Sequence, residues 1–304
     1  MIKEKCEFTH FYEHFNNKNL VLYKHKERKS KRIETPYDTQ YPFAVAQIRN
    51  DLYFTGGGNY DKDILIEKFF KTATRVKVCS KDMDTLAEGL PDMHIARTKH
   101  SMAIVNNSSV YVVGGFNSNG IIDTCEEFEI EKGVWKNCAS LNERRIWVSL
   151  IVIEPRHIYA FGGERDKASN GSKAIEYLDT NNKKAKLWVK VALSSGSEVW
   201  PEISLAGGFR LSEQNIIIFG GKVNKSEINY SFIFNIPTQT MKKDENLACN
   251  DVFLMTRPVV SGNDLIVIGK NEGHKYNLFD RKWSLLKKET LTPIAGFFVK
   301  ADTV

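Results

Sequence analysis

The chain has 304 residues, 42% of them hydrophobic, enough to bury a core without metal or disulfide staples. Its 43 basic residues stand against 37 acidic ones, and the sequence pI is near 8.9. That mild excess excludes a nucleic-acid protein unless the charge is concentrated in one patch. Five scattered cysteines (Cys6, Cys79, Cys125, Cys138 and Cys249) show no CxxC spacing. They argue against a disulfide framework or zinc cluster and for a reducing compartment. The start MIKEKCEFTH carries no apolar leader core, and no apolar run is long enough to cross a bilayer. The expected location is the cytoplasm, with no membrane partner.

In chain order, Glu7 to Tyr12 reads as a degenerate strand and LVLYKHKERKSKRIE (20–34) as a hairpin. Then a landmark begins to recur at about fifty residues: LYFTGG ends at Gly57, VYVVGG at Gly115, IYAFGG at Gly163 and IIIFGG at Gly221. A weaker copy, LIVIGK, puts Gly269 at the fifth place. A second landmark follows each Gly pair, an apolar or aromatic residue and a bulky one further on. The pairs are Cys79 and Leu86, Phe128 and Trp135, Tyr177 and Trp188 (with loop residues 181–186 between them), Phe234 and Met241, and Tyr276 and Trp283. Two landmarks in register define a repeat whose units bury their faces on one another.

Each unit holds four short strands, a to d. Strand a is apolar (101–105 or 149–153), b ends at the Gly pair, c carries the aromatic and d carries the Trp position. Turn signals separate them, among them NNSS at 106–109, Glu154-Pro155 and Gly262-Asn263-Asp264. The structural glycines expected are Gly56, Gly57, Gly114, Gly115, Gly162, Gly163, Gly220, Gly221 and Gly269, at crowded strand ends where a residue without Cβ can take a positive φ. Trp135, Trp188 and Trp283 are expected to pack one unit on the next. TPIAGFFVKA (292–301) reads as a lone strand a with no b strand behind it. In the first unit the segment 57–74 is longer than its counterparts, and reads as an extended b–c hairpin or, since ILIEKFF is apolar, as a partner-binding finger.

This pattern resembles the kelch repeat, about fifty residues forming one four-stranded propeller blade. LPDMHIARTKHS (90–101) is similar to the family's approach to strand a, SVYVVGGF (109–116) to its b strand and FEIEKGVW (128–135) to its c–d hairpin. The resemblance covers roughly 20–300; the first unit lacks the Trp and the fifth the second glycine. It implies an all-β, kelch-type β-propeller over 1–304 as one domain. Five contiguous blades would run from about 41 to 290, and a sixth would be built from about 5–36 plus 292–301, closing the ring.

No nucleophile elbow, P-loop, HExxH or dinucleotide motif occurs, and the Gly pairs end strands instead of opening helices. His10 and His14, with Cys6 nearby, have metal-like spacing only if helical, and read as coincidence. Copper enzymes of the propeller class need a cysteine joined to a tyrosine; nothing in the sequence places Cys125 beside Tyr177. The expectation is no enzyme, no cofactor and no metal, but an adaptor or scaffold binding a protein.

Residues before strand a and in the b–c loops should ring one end of the channel. The candidate contacts are Tyr41, Tyr60, Arg97, His100, Phe116, Arg145, Trp147, Arg165, Trp200 and Arg257. Arginine and aromatic side chains are enriched at interface hot spots, and converging guanidiniums suit carboxylates. Arg97 and Arg145 read equally well as structural ties to loop carbonyls. The c–d turns on the opposite face are basic: Lys24, Lys26, Arg28, Lys29, Lys31 and Arg32 in the first hairpin, and Lys183 and Lys184 later. This face offers the alternative of a cytoskeleton-associated or structural protein, though lysines that merely keep hairpin turns solvated fit it too. No aromatics interleave these lysines, which argues against nucleic acid. The family resemblance implies a ubiquitin-ligase component or a cytoskeletal protein as partner.

Overall fold

The computed structural model describes residues 8–13, 19–24, 29–34, 44–48, 51–60, 66–78, 85–166, 168, 170–246, 258–268, 273–285 and 299–300. The side chains of 8–13, 19–24, 29–34, 59–60, 66–67, 78, 85, 245–246, 259, 261, 268 and 299–300 lie outside that description. Every regular element among the described residues is a strand, and most strands pair antiparallel in four-stranded sheets, with short two- and three-stranded ribbons in the loops. The first repeat pairs Ala44–Ile48, Asp51–Thr55, Ala73–Val78 and Thr85–Leu90. The second pairs Ser101–Val105, Ser109–Val113, Cys125–Glu129 and Val134–Cys138. The third pairs Ser149–Ile153, His157–Phe161, Ile175–Asp179 and Val189–Lys190. The fourth pairs Gly207–Arg210, Asn215–Phe219, Tyr230–Asn235 and Thr240–Asn246, and the fifth Val259–Ser261, Asp264–Ile268, Gly273–Asn277 and Lys282–Leu285. This is the architecture of a kelch-type β-propeller. A further sheet joins Phe8–Glu13, Asn19–Lys24 and Lys29–Glu34 to Val299–Lys300, with Phe8 opposite Lys300 and Thr9 opposite Val299.

The b strands of the second to fourth repeats are apolar and buried on both faces because each of these sheets is sandwiched between two neighbours, and the two-residue side-chain period deals residues alternately to the two seams. In the second repeat, Met102, Ile104, Val110, Val112, Phe128 and Trp135 face the first repeat, packing with Ala44, Ala46, Tyr53 and Ala73. Their neighbours Ala103, Val105, Tyr111, Val113 and Cys125 face the third repeat, packing with Ile158, Ala160, Leu178 and Trp188. The core is therefore a series of seams, with further ones between the third and fourth repeats and between the fourth and fifth.

The Gly pairs connect one repeat to the next. Gly57 N–H donates to the Arg97 carbonyl at 2.9 Å, Gly115 N–H to Arg145 at 3.0 Å and Gly163 N–H to Ile203 at 3.0 Å. Gly114 sits at φ 64°, and a Cβ there would collide with the Arg145 carbonyl oxygen, so the close approach of the next chain segment excludes any other residue. The other described pairs also take positive φ, and Gly269 lies outside the described residues. Indole N–H groups add a second tie: Trp135 donates to the Pro91 carbonyl at 2.7 Å and Trp188 to the Ala139 carbonyl at 2.9 Å.

The register corrects three readings. Phe128 opposes Trp135, Phe234 opposes Met241 and Tyr276 opposes Trp283. In the first repeat, however, Val76 takes the aromatic position and opposes Ala87, leaving Leu86 opposite Lys77 and 59% exposed. In the third repeat Tyr177 opposes Val189, and Leu178 holds the position equivalent to Phe128, opposite Ile158 as Phe128 is opposite Val110. Third, Cys125 and Cys138 are register partners on strands c and d and form a disulfide, with Cα atoms 5.3 Å apart, where no disulfide was expected. Cys125 is thereby joined to a cysteine, and to no tyrosine. The long first b–c segment forms a two-stranded ribbon, Gly58–Tyr60 with Ile66–Phe69.

Candidate partner-binding face

Antiparallel topology puts the segments leading into strand a and the b–c loops at one end of the sheets, and the c–d turns at the other. At the first end the two kinds of segment pair with each other: Thr98 bridges Phe116, Ile146 bridges Glu164, and Ile203–Ser204 pairs with Lys222–Val223. Neighbouring repeats join here as well, since Trp147 N–H donates to the Lys99 carbonyl at 3.0 Å. Over the second to fourth repeats the result is a backbone-bonded rim.

Arg97 and Arg145 support this rim from inside, which corrects their reading as partner contacts: both are 0% exposed. Arg97 donates to the carbonyls of Gly114 and Thr124, each at 2.9 Å, and to Glu126 Oε1 at 2.6 Å. Arg145 repeats the arrangement on the carbonyls of Gly162 and Ala174 and on Glu176 Oε1 at 2.6 Å. The carboxylates also receive the chain entering the repeat, Glu126 from the His94 and Ile95 amides and Glu176 from the Asn142 amide. Burial lowers both guanidinium pKa values, against the pull of the paired carboxylate. At the next seam Ile203 stands where the arginine would, and Phe232 where the glutamate would. Both pack in the apolar seam against Trp200.

His100 is corrected likewise. It is 1% exposed, its Nε2 lies 2.8 Å from Thr55 Oγ1 and its Nδ1 has no hydrogen-bond partner among the described residues. Burial, reinforced by the Arg97 charge, holds its pKa well below the usual imidazole range. Trp200 is 5% exposed, stands edge-on to Phe161 and Phe232, and donates to the Lys173 carbonyl at 3.2 Å. Tyr41, Arg257, Lys26 and Arg28 lie outside the described residues, as do the side chains of Tyr60, Lys24, Lys29, Lys31 and Arg32.

The remaining predicted contacts keep accessible surface. Phe116 is half-buried against Phe69, with ring centroids 5.8 Å apart, and the Lys99 ammonium lies 5.8 Å from its centroid. Arg165 is exposed and pairs with Glu202 at 2.9 Å. Trp147 is half-buried at φ 54°, and no hydrogen bond reaches its indole N–H among the described residues. Lys99 and Leu205, two residues beyond Arg97 and Ile203 as Trp147 is beyond Arg145, share its left-handed conformation at 55° and 56°. Sequence reasoning passed over Lys99 and Leu205, although the offset from the arginine position marks them. Burial lowers the Lys99 pKa, with Glu164 opposing. A small open cleft lined by Asn170, Gly171, Glu202, Asn224 and Lys225 lies beside this rim.

On the opposite end, Lys183 reaches back to Glu127 Oε2 at 2.6 Å; Glu127 also accepts from Ser109 and Tyr111. One of the lysines predicted to form a basic face thus pairs between repeats, and both Lys183 and Lys184 remain exposed. Among the described residues no cluster of histidine, cysteine, aspartate or glutamate could hold a metal, and no helix is long and apolar enough to cross a membrane.

Repeats of this length, sheets of this order and Gly pairs in this role define a propeller built from strand repeats. The kelch motif matches residues 96–142, which span the second repeat. A kelch repeat-containing protein of Caenorhabditis elegans, kel-10, is 23% identical over 201 residues, 64% of this chain and 32% of that protein. The chain thus spans about a third of the length of this curated relative. The likeness to the kelch repeat is thus found at the second repeat and in this relative.

Proposed function

We propose that the chain is a non-catalytic protein-interaction module that takes its partner on the rim formed by the d–a and b–c loops. The observation that carries this reading is Trp147. Its left-handed conformation recurs at Lys99 and Leu205 and so belongs to the repeat; what sets Trp147 apart is the large aromatic ring placed at that position. Here the position presents a half-buried ring, with an indole N–H unused among the described residues, next to Lys99. Large amphipathic rings in that state are the usual anchors of protein interfaces. The arginines behind the rim serve it by rigidity, so that specificity lies in the loops and binding is passive. Kelch repeats are commonly interaction modules, which supports the reading at the level of the family. An adaptor that presents a substrate to a ubiquitin-ligase component, or one that docks on a cytoskeletal protein, is the role proposed, with no cofactor and a cytoplasmic location.

The test is affinity capture from source cells with three proteins: the natural chain, Lys99→Ala/Trp147→Ala, and a variant with the lysines and arginines of 24–32 neutralised. Circular dichroism would first establish that each is folded. The reading expects a partner lost with the rim variant and kept with the basic-hairpin variant. Loss with the basic-hairpin variant alone would transfer function to the c–d face, and retention by both variants would refute the rim.

A further inference from the structure

We propose that Cys125 and Cys138 form a reversible dithiol–disulfide strap whose oxidation state sets the stability of the seam between the second and third repeats. Three features support this. The hairpin register places the two residues directly opposite each other, so neither chain segment has to move for the bond to form. Cys125 is 2% exposed and belongs to the packed seam with Leu141, Val148, Ile158 and Trp188, whereas Cys138 is half-buried and open to a small thiol.

The bond also sits at the foot of the connection between these repeats. Leu141 N–H donates to the Asp123 carbonyl at 2.9 Å and Arg145 N–H to the Ile122 carbonyl at 3.3 Å. The residue after Cys138, Ala139, accepts the Trp188 indole N–H, and Ser140 exchanges backbone bonds with Lys186 and Trp188. Tying 125 to 138 thus adds a covalent pin to two segments, one leading into strand c and one leaving strand d, already joined by the strand pairing and these bonds.

The chemistry balances with a dithiol as reductant. One thiolate of the dithiol attacks Cys138 Sγ, breaking the S–S bond and releasing Cys125 as a thiolate, which takes a proton from solvent. The second thiol of the reductant loses its proton and attacks its own mixed-disulfide sulfur, releasing Cys138 as a thiolate that is protonated in turn. The dithiol leaves as a cyclic disulfide, having given up two electrons, and a disulfide oxidant runs the sequence backwards.

The experiment compares the full chain equilibrated with oxidised glutathione and with dithiothreitol. Alkylation and mass mapping count the free thiols, and thermal unfolding is followed in both states. The same is done for Cys125→Ser/Cys138→Ser, which keeps Cys6, Cys79 and Cys249. With alkylation carried out in denaturant, the proposal expects Cys125 and Cys138 to be blocked in the oxidised sample and to react in the reduced one. It expects the midpoint to fall by about 5 °C on reduction in the natural chain only. Alkylation of both cysteines after oxidation would overturn it, as would an unchanged midpoint once the bond is mapped, or an equal fall in the double variant. Should that variant not fold, amide hydrogen exchange on the natural chain decides: reduction must raise exchange at Leu141, Arg145 and Trp188, and no rise there would overturn the proposal.

Discussion

Arg97 and Arg145 carry a full charge into sites with no solvent exposure, and each is tolerable only because a carboxylate and two carbonyls receive its donors. Removing one partner strands the other, so Arg145→Ala should lower the unfolding free energy by about 3–5 kcal/mol in urea titration. The molecule also contains the apolar version of this joint, Ile203 with Phe232. Arg145→Ile/Glu176→Phe should therefore lose clearly less than the sum of its single changes. A single sequence shows the arginines but not what faces them. The signal was available in the strand c residue opposite the b residue two before the Gly pair, glutamate at 126 and 176 where the arginine is present, phenylalanine at 232 where it is not. His100 adds a pH dependence. Buried neutral against Thr55 and beside Arg97, it resists protonation in the folded state, while in the unfolded chain it titrates near its ordinary value of about 6.5. Below that value the unfolded state binds the extra proton, so stability falls with falling pH. The loss between pH 7.5 and 5.5 should be at most about 1.4 kcal/mol in urea titrations at the two values, and His100→Gln should remove it. His157 shifts in the same direction and is left in place by that substitution.

The strand hairpins were legible wherever a large residue recurs at the same offset. Phe128 with Trp135, Phe234 with Met241 and Tyr276 with Trp283 are register partners because those side chains fill a seam. The pattern failed where the position is filled by a small pair, Val76 with Ala87, so that the more conspicuous Leu86 drew the assignment. It slipped by one residue at Tyr177, because the longer turn of the third repeat hides the true spacing. The Cys125–Cys138 pairing follows from the same register, three residues before Phe128 and three after Trp135, and was passed over because counting cysteines ignores register. At this scale the Trp ties separate shape from hydrogen bonding. Trp188→Phe should cost about 1 kcal/mol for the donor lost to Ala139, and Trp188→Ala about 3–5 kcal/mol because it also opens the seam, both read from denaturant midpoints.

At the scale of the whole molecule, repeat packing supplies seams only between neighbours, and the two ends need a partner of their own. The sheet joining Phe8–Glu13 to Val299–Lys300 is the proposed means of closing the ring, as a sixth blade drawn from both termini. Removing residues 292–304 should then lower the thermal midpoint of the entire domain, whereas an appended strand would leave it in place; differential scanning calorimetry distinguishes the two. The central claim concerns the rim, and the most direct measurement places a photo-cross-linking amino acid at Leu205 on it, or at Lys184 on the opposite c–d turn, in source cells. The account predicts a protein adduct from position 205 that disappears when Trp147→Ala is added, with none from position 184. An adduct from position 184 alone would contradict it.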